Sequence, residues 1–393
     1  MIICFKKILK RKYHIRNFFF LTIIRSIDYF LCIFTGFRKK NNVNIKIKTI
    51  VISNIGHLGD NLLTSYFLED IQSKYPKAKI DILTSTNSEV IYQENSLVRN
   101  VFKLDHWKLN RSFNNTIIKI LKYLIQYVKI FIILRRLKYD LAIDFYAFYP
   151  NTVLLLNLIK CKLILSYKSS GFSELADLSL EWEDNINNNI VDFHYNLLNL
   201  INIKKTSKFS PNFKFKYENY LSKIPSNFLE IKKYVLIQPF SPNYKKEWYI
   251  NEWINLIDML VTKKINIIIL GKGEREFVLS RQIISNIKIK SKKNVLNLVN
   301  KLTWNQYLSL LKDSKLLVGL DSFGVHIASF LGLKSISLNT GINPDQLWKP
   351  IKNNIQLRYH TECYPCEKGC DTMDCINKIK SKDVLNEILN ISL

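Results

Sequence analysis

Residues 316–338 read LLVGLDSFGVHIASFLGLKSISL. Leu316–Val318 is a short apolar run and predicts a strand, Val325–Leu331 predicts a helix, and Ser335–Leu338 returns to strand-type residues. Between the first strand and the helix stand Asp321, Ser322 and Gly324, residue types that start helices and turn chains. Strand, helix and strand in so short a span make a βαβ unit, and such units build parallel sheets.

The same rhythm extends outward on both sides. In the same half, Tyr234–Gln238, Ile265–Leu270 and Val295–Leu298 predict strands. Asn251–Thr262, Glu274–Ile287, Trp304–Leu311 and a stretch around Lys382–Leu389 predict helices. An earlier half repeats the pattern, with strands at Ile45–Ser53, Lys79–Thr84, Val101–Leu104 and Leu141–Phe145 and helices at Asp60–Tyr75 and Asn114–Arg136. Ile203–Lys233 is polar, carries Pro211 and Pro225, and reads as a boundary. The expected architecture is α/β: Rossmann-like doubly wound domains at 44–225 and 226–393 facing a central cleft, with a basic helical extension at 1–43. No short repeat of fixed period is present, which excludes a solenoid.

A chain of 393 residues suits two domains, and 47% hydrophobic residues exclude wholesale disorder. The formal net charge of +26 favours an anionic partner: a membrane surface, a phosphorylated ligand or nucleic acid. Ile, Asn and Lys abound throughout, so part of that charge is compositional. Helix-turn-helix, zinc-finger and RNA-binding signatures are absent from the sequence, and the charge is spread along it. Nucleic acid is therefore not the expected partner, and a basic nucleic-acid-binding protein is the rival reading.

The first forty residues carry ten Lys and Arg against Asp28 alone, with apolar runs at Phe18–Ile24 and Tyr29–Phe37. Arg25 and Asp28 interrupt what would need to be ~20 uncharged residues to span a bilayer, and no small-residue cleavage site follows. The segment reads as an in-plane basic and aromatic helix on an anionic leaflet, the other readings being a helix packed on the chain's own core and a true signal anchor. The helix at Asn114–Arg136 is apolar on more than one face and rimmed by Lys119, Lys122, Lys129, Arg135 and Arg136. It fits either a core helix with snorkelling lysines or a second membrane contact.

Four motifs carry chemistry. Asn54-Ile55-Gly56-His57-Leu58-Gly59-Asp60-Asn61 follows a strand and opens a helix, with Gly56 and Gly59 as a small wall facing the cleft. Asp60 there is either a helix cap or a general base. Leu320-Asp321-Ser322-Phe323-Gly324-Val325-His326 offers the free N–H groups of a helix start, an anion site, with His326 one turn in. Gln238-Pro239-Phe240-Ser241 leads to Lys245-Lys246-Glu247-Trp248, where a lysine can meet a phosphate. Gly271-Lys272-Gly273-Glu274 ends a strand where a nucleoside edge could bind.

Taken in order with Tyr139-Asp140-Leu141-Ala142-Ile143-Asp144 and Cys363-Tyr364-Pro365-Cys366, these motifs resemble glycosyltransferase family 9, the ADP-heptose:lipopolysaccharide heptosyltransferases, over roughly residues 45–390. The resemblance implies a GT-B fold, an N-terminal acceptor domain and a C-terminal donor domain. It makes Asp60 the catalytic base and Lys246 the phosphate lysine. Glu274 becomes the nucleoside acid, and Asp321, Ser322, Gly324 and His326 the diphosphate loop. It implies inverting transfer of a heptose from ADP-heptose, without a catalytic metal, to a glycolipid such as lipid A–inner core. The enzyme would lie peripherally on the inner face of the inner membrane. Another nucleotide sugar, for O-antigen or capsule glycan, is the alternative donor. The chain departs from the family pattern at Asn54, where an Arg is usual, at Ser65-Tyr66, where a Pro is usual, and at Trp248-Tyr249, where Trp-Pro is usual.

Cys363, Cys366, Cys370 and Cys375 have the spacing of a structural zinc site, and packed thiols or local disulfides fit it too. An odd total of seven cysteines argues against a secreted disulfide framework.

Overall fold

The computed structural model describes all residues except 1, 16, 36–44, 111, 113, 183–186, 206–214, 221–223, 225–233, 343, 367–369 and 392–393. Most of the polar 203–233 boundary, with both of its prolines, lies outside the described residues. The chain divides into one unit of residues 1–185 with 190–214 and a second of 186–189 with 215–393.

The first unit begins with helices α1 (Ile2–Lys10) and α2 (Phe18–Thr35). It continues with β1 (Thr49–Asn54), α3 (Leu58–Ser65), α4 (Leu68–Lys74), β2 (Lys79–Thr84) and β3 (Val98–Lys103). Then come α5 (Thr116–Leu137), β4 (Leu141–Asp144), α6 (Val153–Leu158), β5 (Leu163–Tyr167), β6 (Leu178–Leu180) and α7 (Ile190–Asn199). The strands form one sheet in the order β3-β2-β1-β4-β5-β6, every pair parallel. Ile50, Val51 and Ile52 have no accessible surface, as expected of a parallel strand covered on both faces. Each such side chain contributes about 1.5–3 kcal/mol by leaving water.

The helix expected over Asp60–Tyr75 is instead two helices. Tyr66 and Phe67 make tight three-residue bonds to Leu63 and Thr64, and the chain turns there. The break lets Phe67 bury completely and stack on Phe145 with ring centroids 5.2 Å apart.

The N-terminal helices pack on their own unit. Buried Arg11 donates to Asp28 at 3.1 Å and pairs with Glu174, while the backbone N–H of Phe172 donates to Asp28 at 2.8 Å. Ile24 lies against Gly171, where an added Cβ would stand 2.5 Å from the Ile24 side chain. Asp28 is therefore turned into the protein, and Arg11 pairs with it there. Among the described residues no helix is long and apolar enough to cross a membrane.

The second unit holds β7 (Tyr234–Gln238), α8 (Ile250–Thr262), β8 (Asn266–Ile269), α9 (Glu274–Asn286) and β9 (Val295–Asn297). It continues with α10 (Trp304–Asp313), β10 (Leu316–Leu320), α11 (Phe323–Leu331), β11 (Lys334–Leu338), β12 (Asn354–Leu357), α12 (Asp374–Asn377) and α13 (Ser381–Asn390). Its parallel sheet runs β12-β11-β10-β7-β8-β9, the same connectivity as the first. In both, the strand order reverses beside the first strand, between β1 and β4 and between β7 and β10. Open α/β sheets bind ligands at the carboxyl ends of the strands flanking such a reversal.

Candidate functional site

At the first reversal point β1 ends in Asn54, whose side chain organises the loop. Its Oδ1 accepts from the Gly56 N–H at 3.0 Å, and its Nδ2 donates to Thr64 Oγ1 at 2.8 Å and to the Asp60 carbonyl at 3.3 Å. Gly56 has no room for a side chain: a Cβ would lie 2.6 Å from the Tyr146 ring, 2.7 Å from Asp60 Oδ2 and 2.8 Å from Asn54 Oδ1. Gly59 is the opposite case, with nothing within 4 Å of where its Cβ would stand.

Helix α3 starts earlier than the sequence reading placed it. His57 is its N-cap and Asp60 its third residue, so the carboxylate reaches back and accepts from the His57 N–H at 2.8 Å. The cap reading of Asp60 thus holds in a modified form, as the acid of a capping box. That bond aims a partly exposed carboxylate at the strand end. Below it, buried Asn61 donates to the Gly56 and His57 carbonyls and accepts from Thr84 and Tyr92.

On the other side of the reversal, Asp144 ends β4 fully buried and accepts from the backbone N–H groups of Tyr146 and Thr152, both at 3.1 Å. Burial pushes its carboxyl up to about 7, against the pull of those bonds. Asp144 fixes the turn that presses Tyr146 onto Gly56. Its role is hidden in the sequence, because burial cannot be read from its neighbours.

At the second reversal point Lys246 closes a short turn, and its Nζ donates to Asp321 Oδ2 at 2.8 Å and to the Asp321 carbonyl at 3.2 Å. Asp321 follows β10, and Ser322 is the extended N-cap of α11. Gly324 sits where a Cβ would be 2.3 Å from Gln238 Oε1, so the helix start approaches β7 closely. The same Gln238 oxygen accepts from Tyr307 Oη at 3.0 Å. His326 lies in the first turn and is buried. Burial lowers its pKa, Lys246 lowers it further and Asp321 raises it, so the ring is neutral at neutral pH and donates through one nitrogen.

Glu274 is the first residue of α9 and is exposed. Its loop is tied to the Lys246 loop through neighbours: Arg275 donates to both oxygens of Glu247, at 2.7 and 2.5 Å, and Glu247 accepts from the Ser241 N–H at 2.9 Å. Behind it, Glu276 accepts from the Lys272 N–H at 2.9 Å and occupies the space a Gly271 side chain would need. Burial raises its pKa. The structure thus brings Lys246, Asp321, Ser322, Gly324 and His326 together, with the Glu274 loop braced to them. Sequence reasoning missed Gln238, Glu247 and Glu276 as the supports. An acid in a helix's first turn is too common to single out.

The four clustered cysteines are free thiols, Cys363 and Cys370 exposed and Cys375 buried. Among the described residues no three His, Cys, Asp or Glu side chains are grouped to hold a metal ion.

Residues 128–377 match the family model described as glycosyltransferase family 9 (heptosyltransferase). Lipopolysaccharide heptosyltransferase 3 of Escherichia coli is 21% identical over 317 residues, spanning 76% of this chain and 84% of that one. Solved structures share the fold. The glycosyl transferase family 9 protein from Veillonella parvula DSM 2008 superposes with a TM-score of 0.70 at 15% identity, over 89% of this chain and 99% of that chain. The E. coli ADP-heptose lps heptosyltransferase II gives 0.65 at 14% identity, over 88% and 98%.

Proposed function

The chain belongs to glycosyltransferase family 9, a transferase of GT-B fold, and from that premise we propose that it moves a heptose from ADP-heptose to a lipopolysaccharide core acceptor with inversion at the anomeric carbon. One observation carries the reading: a lysine and the N-terminus of α11 converge at the reversal point of the second sheet. The N–H groups of Ser322–Val325 and the Lys246 ammonium are the donors a diphosphate needs. Asp321, now the partner of Lys246, holds that ammonium in place, and the arriving phosphate shares it. Neutral His326 donates from the same helix turn.

In the first unit Asp60 accepts the proton of the acceptor hydroxyl as its oxygen attacks the anomeric carbon. The sugar–phosphate bond breaks, and ADP leaves with the electron pair. Fixed N–H dipoles and Lys246 meet the charge that grows on the leaving diphosphate. The acceptor is a glycolipid, with lipid A–inner core the leading candidate, and the enzyme works peripherally on the inner face of the inner membrane. The E. coli relative is itself a lipopolysaccharide heptosyltransferase, which supports the acceptor class.

The test is a panel of nucleotide sugars offered to the purified chain with a lipid A–inner core acceptor in EDTA. ADP release and a heptosylated product support the reading. Consumption of a different nucleotide sugar moves the chain to O-antigen or capsule synthesis, and strict dependence on added Mg²⁺ or Mn²⁺ overturns the charge assignment.

A further inference from the structure

Helix α5 has two apolar faces, and only one is used. Ile130 and Leu134 are buried against the first unit's core, with Tyr123, Tyr127 and Phe131 packed beside them. The opposite face presents Ile117, Leu121, Leu124, Ile125, Val128 and Ile132, each 44–65% exposed. They recur at three- and four-residue spacing, so they form one stripe along the helix. From Ile117 to Ile132 that stripe is about 24 Å long. Lys122, Lys129 and Arg136 follow every seventh residue along its flank, and α5 contains no acidic residue.

The N-terminal helices offer a second such face on the same unit. Phe18 and Phe34 of α2 are 80% and 72% exposed, with Phe19, Phe30 and, on α1, Phe5 and Leu9 exposed as well. The one acid of the two helices, Asp28, is fully buried, and exposed Lys6, Lys7 and Lys10 surround the apolar residues of α1. Aromatic contacts join the two regions: Phe20 to Trp107 at 6.3 Å, Trp107 to His106 at 5.5 Å, and His106 to Tyr123 of α5 at 4.6 Å. Lys108 Nζ lies 3.1 Å from the centre of the Phe20 ring, bracing the junction.

We propose that the outer face of α5 and the aromatic face of α2 together form the surface by which this chain lies on an anionic lipid bilayer. Apolar and aromatic side chains enter the acyl boundary while the flanking lysines and arginines meet phosphate headgroups. Charge decides the occupant. Pairing two copies through α5 would set five positive charges against five with no carboxylate on the helix to offset them. An anionic leaflet neutralises the same charges. The inference rests on the reading of a lipid-anchored acceptor and adds which surface meets the lipid.

The experiment is flotation of the full chain with vesicles of phosphatidylcholine, alone or with one part in three of phosphatidylglycerol. Beside it, sugar transfer to a water-soluble acceptor fragment is measured. Wild type should float with the anionic vesicles. Lys122→Gln/Lys129→Gln/Arg136→Gln should lower that partition about a hundredfold, roughly fivefold per charge. Leu124→Ser/Val128→Ser should lower it at least about tenfold. Both variants should unfold at the wild-type temperature and keep transfer to the soluble acceptor. Wild-type flotation by either variant overturns the proposal. So does a wild-type dimer that Leu124→Ser/Val128→Ser dissolves without any vesicle binding. Transfer without flotation removes the surface and spares the transferase, and flotation without transfer to any acceptor does the reverse.

Discussion

The two sheets share one strand order, yet the loops at their reversal points are made of opposite materials. In the first unit a carboxylate is aimed by backbone: the His57 N–H holds Asp60, the Asn54 amide ties the loop, and Gly56 lets it close. In the second a cation is aimed by a carboxylate, Lys246 on Asp321, beside a helix start whose N–H groups add positive character. The same topology thus supplies a basic oxygen on one unit and an anion cradle on the other. Fold sets where the loop stands, and the residues set its chemistry.

The sharpest way to break that contrast is to remove each centre and ask which rate constant moves. Asp60→Ala should lower kcat by about 10²–10⁴-fold, the range for a positioned general base. ADP affinity should hold, because Asp60 lies on the unit without the cradle. Turnover at the wild-type rate would remove Asp60 from the mechanism. Lys246→Ala should act the other way, weakening ADP binding about tenfold to a hundredfold through one charged hydrogen bond. Calorimetric titration with ADP reads it directly, and an unchanged Kd would leave the α11 N-terminus as the sole cradle.

A second contrast lies within the first loop. Gly56→Ala forces a Cβ against Tyr146, Asp60 and Asn54, and should cost about 1–3 kcal/mol of stability together with activity. Gly59→Ala meets nothing and lies within α3, so it should stabilise by about 0.4–1 kcal/mol. If Gly59→Ala keeps its stability but loses transfer, the open space beside Asp60 is where the acceptor passes. If both variants behave alike, the crowding at Gly56 has been misjudged.

Much of this was legible in the sequence for a local reason. Strands such as Lys79–Thr84 and Tyr234–Gln238 are short β-branched runs, and the pattern within each run gave its bounds without help from the rest of the chain. The loop from Asp321 to His326 also declared itself, since cap residues between a strand and a helix have few other uses. What was hidden depends on distant partners. Asp28 looked like an interruption in an apolar segment and Arg11 like one more basic residue ahead of it, and only Glu174, 163 residues from Arg11, shows that they face inward. Gln238 and Gly324 fit together across 86 positions, which no spacing rule reveals. The break at Tyr66–Phe67 was invisible because its cause is the Phe145 ring, just past the end of β4.

The most specific test separates the buried acid of the first unit from everything else that titrates. Asp144 is neutral in the fold up to about pH 7, whereas an unfolded Asp ionises near pH 4. Between those values the unfolded chain holds fewer protons than the folded one at this site, so stability falls as pH rises, by up to about 1.4 kcal/mol per pH unit. Its contribution is complete below pH ~4 and lost above about 7. His106 and His194 work in the opposite sense. Burial holds both imidazoles near 3, so stability rises with pH until the unfolded histidines lose their protons near 6.5. The wild-type profile alone therefore sums opposing slopes. Subtracting the profile of Asp144→Asn cancels the histidines and leaves the carboxyl. That difference in denaturant-derived stability should decline from pH 4 to 7 and be flat above. A flat difference throughout would mean that Asp144 is ionised in the fold, so that the Tyr146 and Thr152 N–H groups outweigh its burial. The loop at Gly56 would then be braced by a charge, like its counterpart on the second unit.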